Sequence, residues 1–289
     1  MNLPKQNLAV ALDRANDLLC DIGAIKGRDP REPGRLRKQR AESRLAAVVM
    51  RHFRTQKAQL RHALEVLPPK PALKATQPYD YEQFMADESF GPNVYRLLLE
   101  FAKDGVSLFD EMASTRLDMT LTNIEVAKWA RKYAYDLVKG IDATTVDALQ
   151  EAVSAFSETP GYTIGDIVKQ IEGDAFNLNR STLIATTEVT RAYAKGNIAA
   201  GKQMQAEFPG VLVVKKWHTN RDAYYIGRQR RGVCEICASL DGQEVPLDEP
   251  FHSALSGKDY QEPPDPHPGD RCWITVRTRI NARGSDAGD

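Results

Sequence analysis

Apolar residues recur along most of this chain at steps of three and four, the spacing of helices that bury one face. Leu8, Leu12, Ala15, Leu18, Leu19 and Ile22 predict a helix within residues 1–25, which Gly27, Pro30, Pro33 and Gly34 then break. A longer helix is predicted from Leu36 to about Leu67, with Leu45, Val49, Phe53, Leu60 and Leu64 on one stripe and Arg or Lys on the other faces. Pro68, Pro69, Pro71 and Pro78 follow as a stiff connector, since proline donates to neither helix nor ladder.

A second helical block comes next. Asn93 is a candidate cap for a helix that buries Val94, Leu98, Phe101, Leu108 and Met112, weakened in its middle by Gly105. Thr122 or Asn123 would cap another, with Ile124, Ala127, Ala130, Ala134, Leu137 and Val138 inward and Gly140 at its end. Asp142 would open a further helix carrying Val146, Leu149, Val153 and Phe156. Thr163 and Asp166 have the spacing of a capping box ahead of Ile167, Val168 and Ile171. Residues 181–208 read as one long helix or two collinear ones. At Pro209-Gly210 the period changes, and the β-branched runs 211–217 and 273–278 predict strands.

The expected class is α+β, a mainly helical N-terminal body followed by a small C-terminal β-containing module. Residues 1–78 would form a basic helical arm with its connector and 79–208 a helical body. Residues 209–280 would form the β- and loop-rich module, and 281–289 a flexible polar tail. With 289 residues, 42% of them hydrophobic, the chain can bury a real core, which excludes wholesale disorder. Its longest unbroken apolar run, Leu45–Met50, is far short of the roughly 20 residues of a membrane span. Met1–Asn7 lacks the apolar run of a secretory leader, and four cysteines without export do not suggest a disulfide scaffold.

Formal net charge is zero, yet the charges segregate. Between Lys26 and His62 stand 12 basic and 3 acidic residues, while Gln77–Glu125 holds 10 acidic and 3 basic ones. Either each region meets an outside partner or the two fold onto each other. Arg35, Arg37, Lys38, Arg40, Arg44, Arg51, Arg54, Lys57 and Arg61 form the candidate contact set for nucleic-acid phosphates or an acidic protein surface. Only Phe53 offers an interleaved aromatic, so base-specific reading is not expected.

The sharpest chemical feature is Cys234-Glu235-Ile236-Cys237, followed by His267 and Cys272. Two thiolates two residues apart can grip one ion from a tight turn. An imidazole and a third thiolate from a distant loop complete a tetrahedral zinc shell. Cys234, Cys237, His267 and Cys272 are therefore the candidate ligands of a structural Zn2+, with His252 and His218 as alternatives to His267. A redox Cys-x-x-Cys pair and unligated buried thiols are the competing readings. Cys20, alone in a helical stripe, reads as a core residue. Asp270 and Glu235 stand near enough in sequence to serve a hydrolytic metal, but no His-Glu-x-x-His pattern, nucleophile elbow, phosphate loop or dinucleotide fingerprint accompanies them. No catalytic residue is assigned.

Several of these blocks occur in an order known elsewhere. Ile184-Ala185-Thr186-Thr187-Glu188-Val189-Thr190-Arg191-Ala192-Tyr193 comes first, then Lys216-Trp217-His218-Thr219-Asn220-Arg221-Asp222. Val233–Cys237, Leu240-Asp241-Gly242-Gln243 and Pro263–Trp273 continue the series. Over roughly residues 140–280 the chain resembles the phage Mu F-like minor head proteins, or phage head morphogenesis family. The family pattern carries a cysteine where this chain has Asp270. The resemblance implies a low-copy, non-enzymatic structural protein of a tailed-phage or prophage head. It would be made in the host cytoplasm and found in the virion. Its expected partners are the portal protein, other head components and phage DNA, with no membrane and any oligomer formed within the particle. Zinc-containing nucleic-acid binding and metal-dependent hydrolysis are the alternative functions. For Glu188, Arg191, Trp217 and Asp222 the expectation is a buried ion pair and a core tryptophan.

Overall fold

The computed structural model describes residues 28–29, 31–65, 87–113, 120–158, 164–220, 224–226, 229–231 and 233–280. The helix expected within 1–25, Cys20, the proline-rich connector, Thr163, Asp222 and the C-terminal tail lie outside these residues, as does the side chain of Arg61. The protein is α+β. Among the described residues five helices come first: α1 (Arg35–Glu65), α2 (Phe90–Ala113), α3 (Thr120–Glu158), α4 (Ile164–Asp174) and α5 (Leu178–Glu207). A region of short strands follows, with β1 (Val211–His218), β2 (Tyr224–Ile226), β3 (Gln229–Arg231) and the six-residue helix α6 (Glu235–Leu240). It closes with β4 (Glu244–Pro246), β5 (Phe251–Ser253), β6 (Lys258–Tyr260) and β7 (Trp273–Ile280). No helix among the described residues is long and apolar enough to cross a membrane.

Helix α1 follows its predicted stripe, burying Ala41, Leu45, Val49 and Phe53. Helix α2 starts three residues before its expected cap: Asp87 accepts the Ser89 amide at 3.1 Å, and Asn93 instead donates to the Ser89 carbonyl at 2.8 Å. The α2–α5 crossing depends on glycine. A methyl group at Gly196 would stand 2.0 Å from the Ala102 carbonyl oxygen, and one at Gly105 2.5 Å from that of Tyr193. Gly105, a weak point on propensity alone, is what lets the two backbones touch.

The two helices expected around Gly140 are one continuous helix, α3. Gly140 has no neighbour within 4 Å of an added Cβ, and Asp142 does not act as a cap. Its carboxylate instead accepts from Gln56 at 2.8 Å and meets His52 Nε2 at 2.9 Å, tying α3 to α1. The inward side of α3 runs through Val126, Ala130, Ala134 and Ile141, whereas Ile124 is 48% exposed, as is Met112 at 47%. Asn177 caps α5 by accepting the Arg180 amide at 2.7 Å.

Strand β1 lies between β4 and β7, antiparallel to both, with Val211 opposite Ile280 and Trp217 opposite Ile274. Two short hairpins, β2–β3 and β5–β6, complete the strands. Trp217 is fully buried and meets Phe251 edge-on at 5.2 Å. With Val213, Leu240, Leu247, Phe251, Ile274 and Val276, it joins the same apolar core that α1, α2 and α5 build.

Candidate metal centre

The cysteine pair is presented by α6: Cys234 occupies its N-cap and Cys237 its first turn. The remaining donors come from the segment between β6 and β7, which turns at Gly269 with φ of 75°. That segment is pinned to successive turns of α5. Gly269 donates its amide to Thr187 Oγ1 at 2.8 Å, and Arg271 donates to Thr186 Oγ1 at 3.2 Å. Arg191 reaches Asp265 at 3.0 Å, and Lys195 pairs with the buried Glu262 at 2.7 Å.

Two overlapping triplets of donors result, Cys234–Cys237–His267 and Cys237–Asp270–Cys272, each with its donor atoms within 4.8 Å of one another. Cys237 is common to both. A tetrahedron with metal–sulfur and metal–nitrogen bonds of about 2.3 and 2.05 Å has sulfur–nitrogen edges of about 3.6 Å. The Cys237 Sγ to His267 Nε2 distance of 3.3 Å is close to that value. His267 Nδ1 lies 2.9 Å from the Pro268 carbonyl, an acceptor that holds the proton on Nδ1 and leaves Nε2 free to ligate. The cluster of Cys234, Cys237, His267 and Cys272 can thus hold a metal ion.

Of the thiols, Cys237 is the one set to bind as a thiolate. A hydrogen bond from the Cys272 thiol, reinforced by His267, holds Cys237 down to about 6, against the opposing effect of burial. Cys272 is pushed up because it donates to Cys237 and is buried beside Asp270. The Cys237 contact, then the Pro268 carbonyl, raise His267 to about 10. A metal entering would take over the charge on Cys237 and displace the protons of His267 and Cys272. The three described cysteines are free thiols. The thiol that is held low, Cys237, is buried, whereas an attacking redox thiol has to be accessible.

Sequence reasoning left Asp270 out of the cluster. It is 2% exposed, its Oδ1 accepts the Cys272 amide at 2.7 Å, and its Oδ2 lies 3.7 Å from Cys237 Sγ. Its position, where the resembling family carries a cysteine, was the available signal. The two alternative histidines are elsewhere. His218 meets Thr275 Oγ1 at 2.8 Å and stacks on Trp273, and exposed His252 pairs with Asp259 at 2.8 Å.

The basic set divides. Arg37 pairs with Glu111 at 2.9 Å, Arg44 with Glu100 and Lys57 with Glu172 at 2.6 Å. Glu100 and Glu111 belong to the acidic stretch, so the two segregated regions do fold onto each other. Lys38 is not a surface residue at all. It is buried against Glu32 at 2.7 Å, in a network that sequence reasoning missed. Arg28 bonds Glu32 at 2.7 Å, Glu42 at 3.0 Å and Thr190 Oγ1 at 3.0 Å, and Arg271 closes the chain on Glu42 at 3.2 Å. Burial opposes the charge on Arg28, but Glu32 and Glu42 outweigh it and hold the guanidinium more basic than usual. Arg35 is half-buried, while Arg40, Arg51 and Arg54 are exposed.

Glu188 and Arg191 approach to 3.8 Å, with the Arg191 guanidinium 5.5 Å from the Tyr133 ring. Glu188 is 5% exposed, and burial first of all raises its carboxyl. Comparison with protein-family models, with curated proteins and with solved structures gives no match to this chain.

Proposed function

We propose that the protein is a minor head protein of a tailed phage or prophage, a non-enzymatic component that acts at the portal vertex during head assembly. The observation that carries this reading is convergence. The five blocks that resemble the Mu F-like family are spread over residues 184–273, and their described residues pack into one unit with the candidate metal cluster. Thr186 and Thr187 of the first block hold Arg271 and Gly269 of the last. Trp217 of the second exchanges backbone hydrogen bonds with Gly242 and Gln243 of the fourth, both at 2.9 Å. Cys237 of the third faces His267 of the last at 3.3 Å. Residues scattered in sequence would not be expected to share one site unless they specify one module.

In this reading the ion is Zn2+, which three thiolates and one imidazole suit better than oxygen-seeking cations. Its part is structural: it fastens the segment 261–272 to α6. The chain's own residues then hold that segment against α5, giving a rigid face for the portal protein or another head component. The protein would enter the virion from the host cytoplasm and oligomerise only within the particle.

The test is co-expression with the portal protein of the same genome, followed by affinity purification, and mass spectrometry of purified particles. Stoichiometric recovery with the portal, and a low-copy signal in particles, are expected. Failure to associate with any head component, together with absence from particles, overturns the proposal.

A further inference from the structure

We propose that the outward face of α1 binds the sugar–phosphate backbone of double-stranded nucleic acid; this stands independently of the head-protein reading. Positions 37, 40, 44, 47, 51, 54 and 58 follow one another in alternating steps of three and four, so they share the side of α1 opposite Leu45, Val49 and Phe53. All seven are exposed. Five are arginines, Arg37, Arg40, Arg44, Arg51 and Arg54, and the other two are alanines, Ala47 and Ala58. The only acids of the helix, Glu42 and Glu65, are not among them. Among the described residues no ion-pair partner meets Arg40, Arg51 or Arg54, whereas Arg37 and Arg44 have exposed partners in Glu111 and Glu100.

The composition of this face selects the ligand. A protein partner of ordinary affinity needs buried aromatic or aliphatic anchors, and this row has none. A single strand needs aromatic platforms for its bases, also missing from the row. What remains is a straight array of guanidinium forks about 25 Å long at 1.5 Å per residue. Each fork can take two oxygens of a phosphate, and alanine at positions 47 and 58 leaves the row low enough for a wide polyanion to lie along it. Surface ion pairs such as those to Glu100 and Glu111 contribute little, so Arg37 and Arg44 can exchange them for phosphates. Nothing in the row reads a base edge, and binding is therefore independent of sequence.

The test is fluorescence anisotropy of the full chain with a labelled mixed-sequence DNA duplex and, in parallel, an RNA duplex of the same sequence. With three to five phosphates neutralised, affinity for DNA falls about 40- to 500-fold between about 50 and 200 mM salt. Arg40→Ala, Arg51→Ala and Arg54→Ala together lower the log–log salt slope by about 2.7 and leave the melting temperature unchanged. The control changes Lys128, Lys132 and Lys139, exposed on α3, to Ala; it removes the same charge and leaves the slope nearly intact. The proposal is overturned if neither duplex binds, or if both triple variants reduce the slope equally. It is equally overturned if polyglutamate binds with the arginine dependence that the duplexes lack, which would mark the face as a dock for an acidic protein.

Discussion

Changing Glu42 to Gln removes one negative charge from a buried chain of five alternating charges. Lys38, Glu32, Arg28, Glu42 and Arg271 are all 6% exposed or less, and three cations share two carboxylates. Glu42 serves both arginines: its Oε1 lies 3.0 Å from Arg28 and its Oε2 3.2 Å from Arg271. In the variant Arg28 and Arg271 would each lose the buried counter-charge of Glu42. Removing one member of a buried ion pair costs about 3–5 kcal/mol, because the partner keeps its desolvation penalty without its counter-charge. For a chain unfolding with a urea slope of about 3 kcal/mol per molar, the midpoint should fall by about 1–1.7 M. Equilibrium urea unfolding followed by circular dichroism and tryptophan fluorescence measures this. Adding Arg271→Met should return about 2 kcal/mol of the loss, since it deletes one of the two cations whose bond to Glu42 was weakened. A drop of less than about 1 kcal/mol in Glu42→Gln, or strict additivity with Arg271→Met, would refute the claim that the network joins α1 to the ligand-bearing segment.

Three further outcomes are expected. Gly196→Ala should destabilise by about 3 kcal/mol because its methyl would meet the Ala102 carbonyl, while Gly140→Ala, in open space on α3, should stabilise by about 0.5–1 kcal/mol; parallel thermal melts compare them. Burial first of all, only partly opposed by Glu262, lowers Lys215 to about 8, so below that pH the native state carries a charged, desolvated ammonium and the penalty fades as pH rises toward the unfolded value near 10.5. Wild-type stability should therefore climb relative to Lys215→Met between about pH 8 and 10, and a flat difference across pH-series unfolding would show that Lys215 carries no such penalty. Cys234→Ser, at a half-buried site where packing loss is small, should empty the centre and expose residues 258–272 to trypsin while α2 and α5 stay protected. An unchanged digestion pattern by peptide mass mapping would contradict that.

How much of this was legible in sequence depended on period and on chemistry. The long stripes of α1 and α5 and the β-branched runs of β1 and β7 were readable because many positions repeat one spacing. Strands β4, β5 and β6 and the helix α6 were not, since three to six residues carry too little pattern. Gly140 misled because its helix-breaking tendency, worth about 1 kcal/mol, is small beside the packing of a 39-residue helix. In the candidate metal cluster, cysteine and histidine are rare and their spacing is chemically constrained, so Cys234, Cys237, His267 and Cys272 could be named, whereas Asp270 beside them resembles any loop carboxylate. The C-terminal module has apolar anchors of its own in Trp217, Phe251, Leu240 and Ile274, all buried. Glu42, Lys38 and Lys215 were the hardest to foresee, because charged side chains normally mark solvent and their burial follows from tertiary pairing alone.

Zinc K-edge X-ray absorption on protein purified without chelator or added metal tests the proposed metal clamp most directly. One zinc per chain is expected, with three sulfur neighbours at about 2.3 Å and one nitrogen near 2.0 Å. A chain that retains no metal, or a shell made mostly of oxygen and nitrogen, would contradict it.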